Sequence, residues 1–105
     1  MKPKAAIVIL NWNGKHFLER FLHLVLERTP ETWARVYVAD NGSTDMSVSW
    51  LKEQFPELPL LEFEKNFGYT GGYNRALRQI DAEYYILLNS DVEVTPGWLP
   101  PLISY

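Results

Sequence analysis

The sequence predicts an α/β domain, Rossmann-like and doubly wound around a mainly parallel sheet. Three observations carry this prediction. Four short apolar runs alternate with three segments of helical periodicity, and each run ends abruptly in polar turn residues. The chain has 105 residues, of which 47% are apolar and 14% aromatic, so it can bury the core of one domain.

The four apolar runs predict strands at 4–10, 33–39, 58–63 and 84–88. The third contains Pro59, which cannot donate to a sheet ladder, so we expect that strand near an edge. The fourth has little room for a solvent-facing side, and this is typical of a strand covered on both faces. We therefore expect 84–88 to lie inside the sheet, with the rest of the chain arranged around it.

Helical spacing of apolar residues separates the runs. An Asn13-Gly14 hairpin would be an alternative after the first strand, but the next apolar residues recur at helical spacing up to Pro30. The second helix should begin at Ser43 or Thr44, which are good N-cap residues. The third opens in a glycine-rich loop and runs to about position 80, and a further helix would start at 95–96.

Composition excludes several classes of protein. The net charge is -3 with no basic run, which argues against nucleic acid as a partner. The chain contains no cysteine, so a disulfide scaffold and thiolate zinc sites are excluded. No apolar run is long enough for a membrane span or a secretory leader, and the cytoplasm is the predicted location.

Each predicted strand is followed by a polar segment. Singly, these segments have an ordinary explanation as turns. In one parallel sheet, however, all four lie at the same edge, where such sheets bind ligands. Together they offer amides and a carboxylate for a base and a ribose, glycine-loop amides for phosphate, and an acid, Asp91, for a divalent cation. The segments are Asn11-Trp12-Asn13-Gly14, Asp40-Asn41-Gly42, Asn66-Phe67-Gly68 and Asn89-Ser90-Asp91.

The order of these motifs closely resembles the N-terminal, nucleotide-binding half of family 2 glycosyltransferases, which are inverting enzymes with a GT-A fold. The resemblance extends over about residues 5 to 99, and bacterial rhamnosyltransferases and related polysaccharide enzymes are the most similar members. It implies that 1–105 form a nucleotide-sugar-binding half-domain with a partial GT-A fold. We expect this half to be a fragment of a longer polypeptide.

The resemblance also implies roles for individual residues. Asp40 would contact the base, and Asp91, the second acid of the family's Asp-x-Asp motif, would hold Mg²⁺ or Mn²⁺ on the diphosphate. The first acid of that motif is replaced by Asn89, which could bind ribose or a metal-bound water. The implied nucleotide-binding residues are Asn11, Trp12, Asp40, Asn66, Gly68 and Asn89.

The implied activity is metal-assisted transfer of a sugar, with inversion, from a dTDP- or UDP-sugar to a polysaccharide or glycolipid acceptor. No catalytic residue is expected in this chain, because the family's base follows the Asp-x-Asp strand and should lie beyond Tyr105. The alternative is a nucleotide-binding fragment without activity of its own. A phospho-accepting receiver is disfavoured, because Asn11 and Asn13 stand where it needs paired acids. A homodimer through an exposed sheet edge, and attachment to the inner face of the membrane, are further expectations.

Overall fold

The computed structural model describes residues 5–92, which form a parallel four-stranded sheet in the order β3-β2-β1-β4 and three helices. This confirms the predicted α/β class. The predicted helix start at 95–96 lies outside the described residues. In chain order the elements are β1 (Ala5–Asn11), α1 (Lys15–Glu27), β2 (Ala34–Asp40), α2 (Ser47–Gln54), β3 (Leu60–Glu62), α3 (Gly68–Gln79) and β4 (Tyr84–Asn89).

Strand β1 is the centre of the fold, and all seven of its residues are buried. Successive side chains of a strand point to opposite faces of the sheet. Accordingly Ile7 lies in the core beneath α1 and α2, whereas Val8 lies in the core beneath α3. Helices therefore cover both faces, as the predicted doubly wound arrangement requires.

Strand β4 is not buried on both sides, which corrects our expectation for 84–88. Among the described residues it pairs only with β1, and its Tyr84 and Leu87 side chains are 49% and 45% exposed. An apolar run shows that a strand lacks a polar face, but it does not show the strand's position in the sheet. The fully covered strand is β1, which has a neighbour on each side.

The strand register aligns the carboxyl ends of the sheet. Asn11 pairs with Asp40, and Leu10 pairs with Asn89 on the other side of β1. Asp40 in turn pairs with Glu62 of β3, which is an edge strand of the described sheet, as Pro59 predicted. The polar segments that follow the strands therefore meet at one end of the sheet.

The second helix begins later than predicted. Its N-cap is Met46, whose backbone is left-handed at φ 72°, and Ser43 and Thr44 lie in the preceding loop. The Ser43 hydroxyl is used elsewhere, since it donates to Asp40 Oδ1 at 2.7 Å. The helices span 13, 8 and 12 residues, and none within 5–92 combines the length and the apolar character needed to cross a membrane.

Candidate functional site: a crevice at the carboxyl ends of the strands

A crevice of about 250 Å³ lies beyond the carboxyl ends of the strands. All four polar segments contribute to it, so the structure brings together the motifs that the sequence separates by up to 80 positions. This is the position at which open parallel sheets bind ligands. The lining residues are Leu10, Trp12, Asn13, Gly14, Phe17, Asn41, Asn66, Gly68, Tyr69, Asn89, Ser90 and Asp91.

One wall of the crevice consists of two loops that are joined by hydrogen bonds. The Asn13 amide donates to Ser43 Oγ at 2.9 Å, and the Thr44 amide donates to Asn13 Oδ1 at 2.7 Å. The amide of Lys15 donates to Asp45 Oδ2 at 3.0 Å. The loop after β1 and the loop after β2 therefore hold one another in place before any ligand arrives.

Asp45 caps two helices at once. Its carboxylate accepts from the amide of Lys15, the first residue of α1, and from the amide of Ser47, the first residue of α2, both at 3.0 Å. The Ser47 hydroxyl donates to the same carboxylate. Burial alone would raise the pKa of Asp45, but the Ser47 and Lys15 hydrogen bonds outweigh it and leave the pKa below its ordinary value. The carboxylate form is thus part of the folded loop.

Asn11 and Asp40 lie beneath the crevice and do not line it. Both are buried, and Asn11 Nδ2 donates to Asp40 Oδ1 at 3.0 Å. Asp40 also accepts from the Ser43 amide through Oδ2 at 2.9 Å. Asn11 Oδ1 has no hydrogen-bond partner within the described part of the chain. A direct contact of Asp40 with a base remains a prediction: Oδ2 can accept a further hydrogen bond, but the side chain is 2% exposed, so the base would have to reach a buried group.

Asn41, for which the sequence predicted no role, holds the glycine-rich loop. It is buried, and its Nδ2 donates to Asn66 Oδ1 at 3.1 Å and to the Gly68 carbonyl at 3.0 Å. Its Oδ1 accepts from the Phe67 amide at 3.0 Å. Asn66 Oδ1 accepts a second bond, at 2.7 Å, from the amide of Gly68, whose φ of +76° suits glycine. Asn66 and Gly68 therefore line the crevice as parts of a loop built on Asn41.

Two exposed aromatic side chains also line the crevice. Trp12, predicted from the sequence, is 53% exposed, and Tyr69, which was missed, is 68% exposed. An aromatic ring left in water offers a flat surface on which a planar base can stack. The position of Tyr69 directly after Gly68 was the available signal.

The last segment places Asn89, Ser90 and Asp91 along the crevice, and the Asp91 side chain is exposed. Asp91 is the only acid among the lining residues that the structure describes, and no lysine or arginine lines the crevice there. Arg75 instead stacks on Phe67, with its guanidinium carbon 3.6 Å from the ring centre, beside a different groove. No cluster of three or more His, Cys, Asp or Glu capable of holding a metal occurs within 5–92.

Comparison with known proteins agrees with this geometry. Residues 6–105 match the sequence profile of Glycosyl transferase family 2. An N-acetylglucosaminyl-diphospho-decaprenol L-rhamnosyltransferase of Mycobacterium tuberculosis is 32% identical over 93% of this chain and 35% of its own length. A putative inactive polypeptide N-acetylgalactosaminyltransferase 12 of Drosophila melanogaster is 30% identical over 99% of this chain and 21% of its own length.

Solved structures show the same fold. The mannosyltransferase PcManGT of Pyrobaculum calidifontis, in complex with GDP-Man and Mn²⁺, superposes with a TM-score of 0.76 at 25% identity, over 89% of this chain and 29% of its own. TarS 1-349 of S. aureus, in complex with UDP-GlcNAc, superposes with a TM-score of 0.81 at 24% identity, over 96% of this chain and 30% of its own. Because its identity is below 25%, the likeness to TarS shows the fold alone.

The chain spans about a third of the length of the rhamnosyltransferase that it matches. The match to the family profile nevertheless covers nearly all of the chain, including each of the four polar segments at the crevice. On this evidence the chain belongs to glycosyl transferase family 2.

Proposed function

We propose that this chain is the donor-binding half of a glycosyltransferase that moves a sugar from a nucleoside diphosphate to a saccharide or lipid-linked acceptor. The observation that carries the proposal is the crevice, in which two exposed aromatic rings, several amide side chains and one carboxylate converge. Aromatic faces and amides suit a base and a ribose, and a lone carboxylate suits a cation on a diphosphate.

The residues at the end of β4 fit a divalent cation that arrives with the nucleotide. Mg²⁺ and Mn²⁺ prefer oxygen ligands, and Mg²⁺ is commonly held by one or two carboxylates together with substrate phosphates. Asp91 supplies the carboxylate, and Ser90 and Asn89 supply further oxygens nearby. With one carboxylate and no cluster of acids in the described residues, affinity for the metal without nucleotide should be low. The structurally similar mannosyltransferase PcManGT was solved with Mn²⁺.

The chain's own residues bind and orient the donor. Asp91 would hold the metal, which when bound offsets negative charge on the departing diphosphate. Trp12 and Tyr69 would stack the base, and Asn89 would contact the ribose. The joined loops fix this wall in advance, so less ordering is needed when the donor binds.

We further propose that transfer inverts the anomeric centre, in a single displacement of the nucleoside diphosphate by an acceptor hydroxyl. The family resemblance supports this assignment. Asp40 is buried and hydrogen-bonded, and Asp91 is assigned to the metal, so neither is proposed as the base. We place the base outside the described residues, beyond Tyr105.

The proposed donor is a dTDP- or UDP-sugar. TarS was solved with UDP-GlcNAc, and the mycobacterial relative is named for rhamnose transfer to a decaprenol-linked sugar. An acceptor of that kind would place the protein in the cytoplasm, against the inner face of the membrane. A homodimer through the sheet edge would form along β4, whose outer backbone edge pairs with no strand of the described residues.

A nucleotide-binding fragment without transferase activity is the second candidate. Its support is the Drosophila relative, whose name is "Putative inactive polypeptide N-acetylgalactosaminyltransferase 12". The two candidates share the crevice and differ only in turnover. Release of nucleoside diphosphate from a donor in the presence of an acceptor separates them when it is measured on a longer polypeptide that includes the proposed base.

The first test is calorimetric titration of the chain with UDP and dTDP, with and without Mg²⁺ or Mn²⁺. We expect binding that depends on the metal. Asp91→Ala should abolish the dependence on metal, because it removes the only lining carboxylate among the described residues. Trp12→Ala should weaken binding about 5- to 150-fold, from the loss of one stacking surface worth roughly 1–3 kcal/mol.

Glu53→Ala is a matched control, since Glu53 is an exposed acid on α2 outside the crevice. It should bind as the unsubstituted chain does. Absence of nucleotide binding by the folded chain, or equal metal dependence in Asp91→Ala, would contradict the proposal.

A further inference from the structure

Tyr73 of α3 reaches the end of β4, where Asn89 enters the crevice. Its hydroxyl oxygen lies 2.8 Å from the Leu88 carbonyl oxygen and 3.1 Å from Asn89 Oδ1. The residue is half-buried, and it connects the helix on one face of the sheet with the polar segment that follows β4.

The two contacts compete for one proton. A phenol carries a single O–H, so Tyr73 can donate to the Leu88 carbonyl or to Asn89 Oδ1, but not to both. The shorter contact is with the carbonyl, and the hydroxyl then turns a lone pair toward Asn89. If Asn89 Oδ1 faces that lone pair, two acceptor oxygens lie 3.1 Å apart with no proton between them, which is unfavourable.

Rotating the Asn89 amide by half a turn removes the conflict, because it exchanges Oδ1 and Nδ2 while leaving the other atoms in place. We propose that Tyr73 is a positioning residue that holds the Asn89 amide with Nδ2 toward the phenol and Oδ1 toward the crevice. Asn89 Nδ2 then donates to Tyr73 Oη, which donates to the Leu88 carbonyl. All three groups are satisfied by one directed chain of hydrogen bonds.

The direction of this chain determines what Asn89 can recognise. This consequence rests on the proposed function of the crevice. With Oδ1 facing outward, Asn89 accepts hydrogen bonds, so its partner on the nucleotide must be a donor such as a ribose hydroxyl and not a phosphate oxygen. Burial, and secondarily the neighbouring Tyr69, raise the pKa of Tyr73 to about 12 against a lowering hydrogen bond from the Leu10 backbone, so the phenol keeps its proton at neutral pH.

The amide orientation can be measured without any nucleotide. In the NMR spectrum of the chain, a nuclear Overhauser effect should connect the Asn89 side-chain NH₂ with the Tyr73 ring protons, and one NH₂ proton should exchange slowly with water. Tyr73→Phe should restore fast exchange. If the NH₂ exchanges fast and shows no contact with the Tyr73 ring in the unsubstituted chain, the proposal is wrong.

The functional consequence is tested by a double-substitution cycle with UDP at saturating Mg²⁺. Tyr73→Phe should weaken binding about five- to tenfold, the value of one hydrogen bond. Asn89→Asp gives the side chain two oxygens, so an acceptor faces the crevice whichever way the carboxylate is turned. In the Asn89→Asp background, Tyr73→Phe should therefore change UDP affinity by less than about twofold.

A general packing role for Tyr73 would make Tyr73→Phe equally costly in both backgrounds, and that result would overturn the positioning role. Failure of the unsubstituted chain to bind UDP would contradict the proposed function instead. In that case the NMR measurement still decides the orientation of the amide.

Discussion

Replacing Asn41 with alanine should detach the glycine-rich loop from the sheet. The substitution removes two hydrogen bonds donated by Nδ2, to Asn66 Oδ1 at 3.1 Å and to the Gly68 carbonyl at 3.0 Å. It also removes the bond, at 3.0 Å, that Oδ1 accepts from the Phe67 amide. The glycine-rich loop thus loses all three of these hydrogen bonds to the segment after β2.

The magnitude follows from these three bonds. Each contributes about 1 kcal/mol net, which gives an upper limit of roughly 3 kcal/mol. Asn66 and Gly68 are exposed, so water can replace part of what they lose, while the Asn41 site itself is buried. We therefore expect a loss of about 2 kcal/mol in the free energy of unfolding, equivalent to roughly 10 °C in Tm for a chain of this size.

Urea unfolding followed by circular dichroism measures this change, and UDP titration of the same variant measures its effect on the crevice. The urea dependence of the free energy of unfolding should be unchanged, because the loop is a small part of the surface exposed on unfolding. UDP affinity should fall together with stability, since Gly68 and Tyr69 line the crevice and depend on the loop.

Asn41→Asp is the matched control. It keeps the acceptor for the Phe67 amide but places an oxygen against two other oxygens, so at neutral pH it should cost more than Asn41→Ala. Acidification should recover part of its stability, because a protonated carboxyl regains one donor. A loss below about 0.5 kcal/mol for Asn41→Ala, the range of ordinary surface substitutions, would refute the reasoning.

Three further substitutions test other parts of the site. The pKa of Asp45 is lowered by folding, so its contribution to stability is present above the unfolded pKa of about 4 and is lost as the pH falls through the folded value. In Asp45→Asn the free energy of unfolding should therefore fall less steeply as the pH is lowered below about 4. An unchanged pH dependence in this variant would contradict the prediction. In Gly14→Ala the new Cβ would lie 2.5 Å from Ser90 Oγ and 2.6 Å from Asn11 Oδ1, so urea unfolding should show a loss of about 1–3 kcal/mol. At Gly68 a Cβ meets nothing within 4 Å, and the constraint is its φ of +76°; Gly68→Ala should cost about 1 kcal/mol, and Gly68→Asn clearly less. Equal losses for the two Gly68 variants would mean that backbone conformation is not the cause.

The element order and the parallel sheet could be predicted because they depend on local patterns. Apolar runs and helical spacing alternate along the chain, and helices are the usual crossover connections between parallel neighbouring strands. The meeting of the four polar segments then follows from topology, since parallel strands end at the same edge. The position of 84–88 in the sheet did not follow, because a strand's apolar character does not reveal how many neighbours it has.

Residue types alone could not predict which side chains at the crevice face a ligand and which hold a neighbouring loop. Asn41 directly follows β2 and Asn89 is the last residue of β4, yet Asn41 is buried and holds the loop, whereas Asn89 is exposed in the crevice. An amide that binds a ligand and an amide that binds a neighbouring loop offer the same donors and acceptors. Only the three-dimensional arrangement distinguishes them, as it does for Asp40, which lies beneath the crevice.

The two kinds of hydrogen bond around the crevice impose different constraints on sequence change among relatives. Asn13 and Asp45 bind backbone amides, of Thr44 and Lys15, and every residue except proline has such an amide. The Lys15 side chain is therefore free to vary, whereas Thr44 also donates through Oγ1 to Asn13 Oδ1 at 3.4 Å.

Asn11 with Asp40, and Asn41 with Asn66, are joined through side chains at both ends. A change at one member of these pairs leaves the other without its partner unless both change together. Correlated substitution in the family should therefore be concentrated at positions 11 and 40 and at positions 41 and 66, and should be absent between 15 and 45.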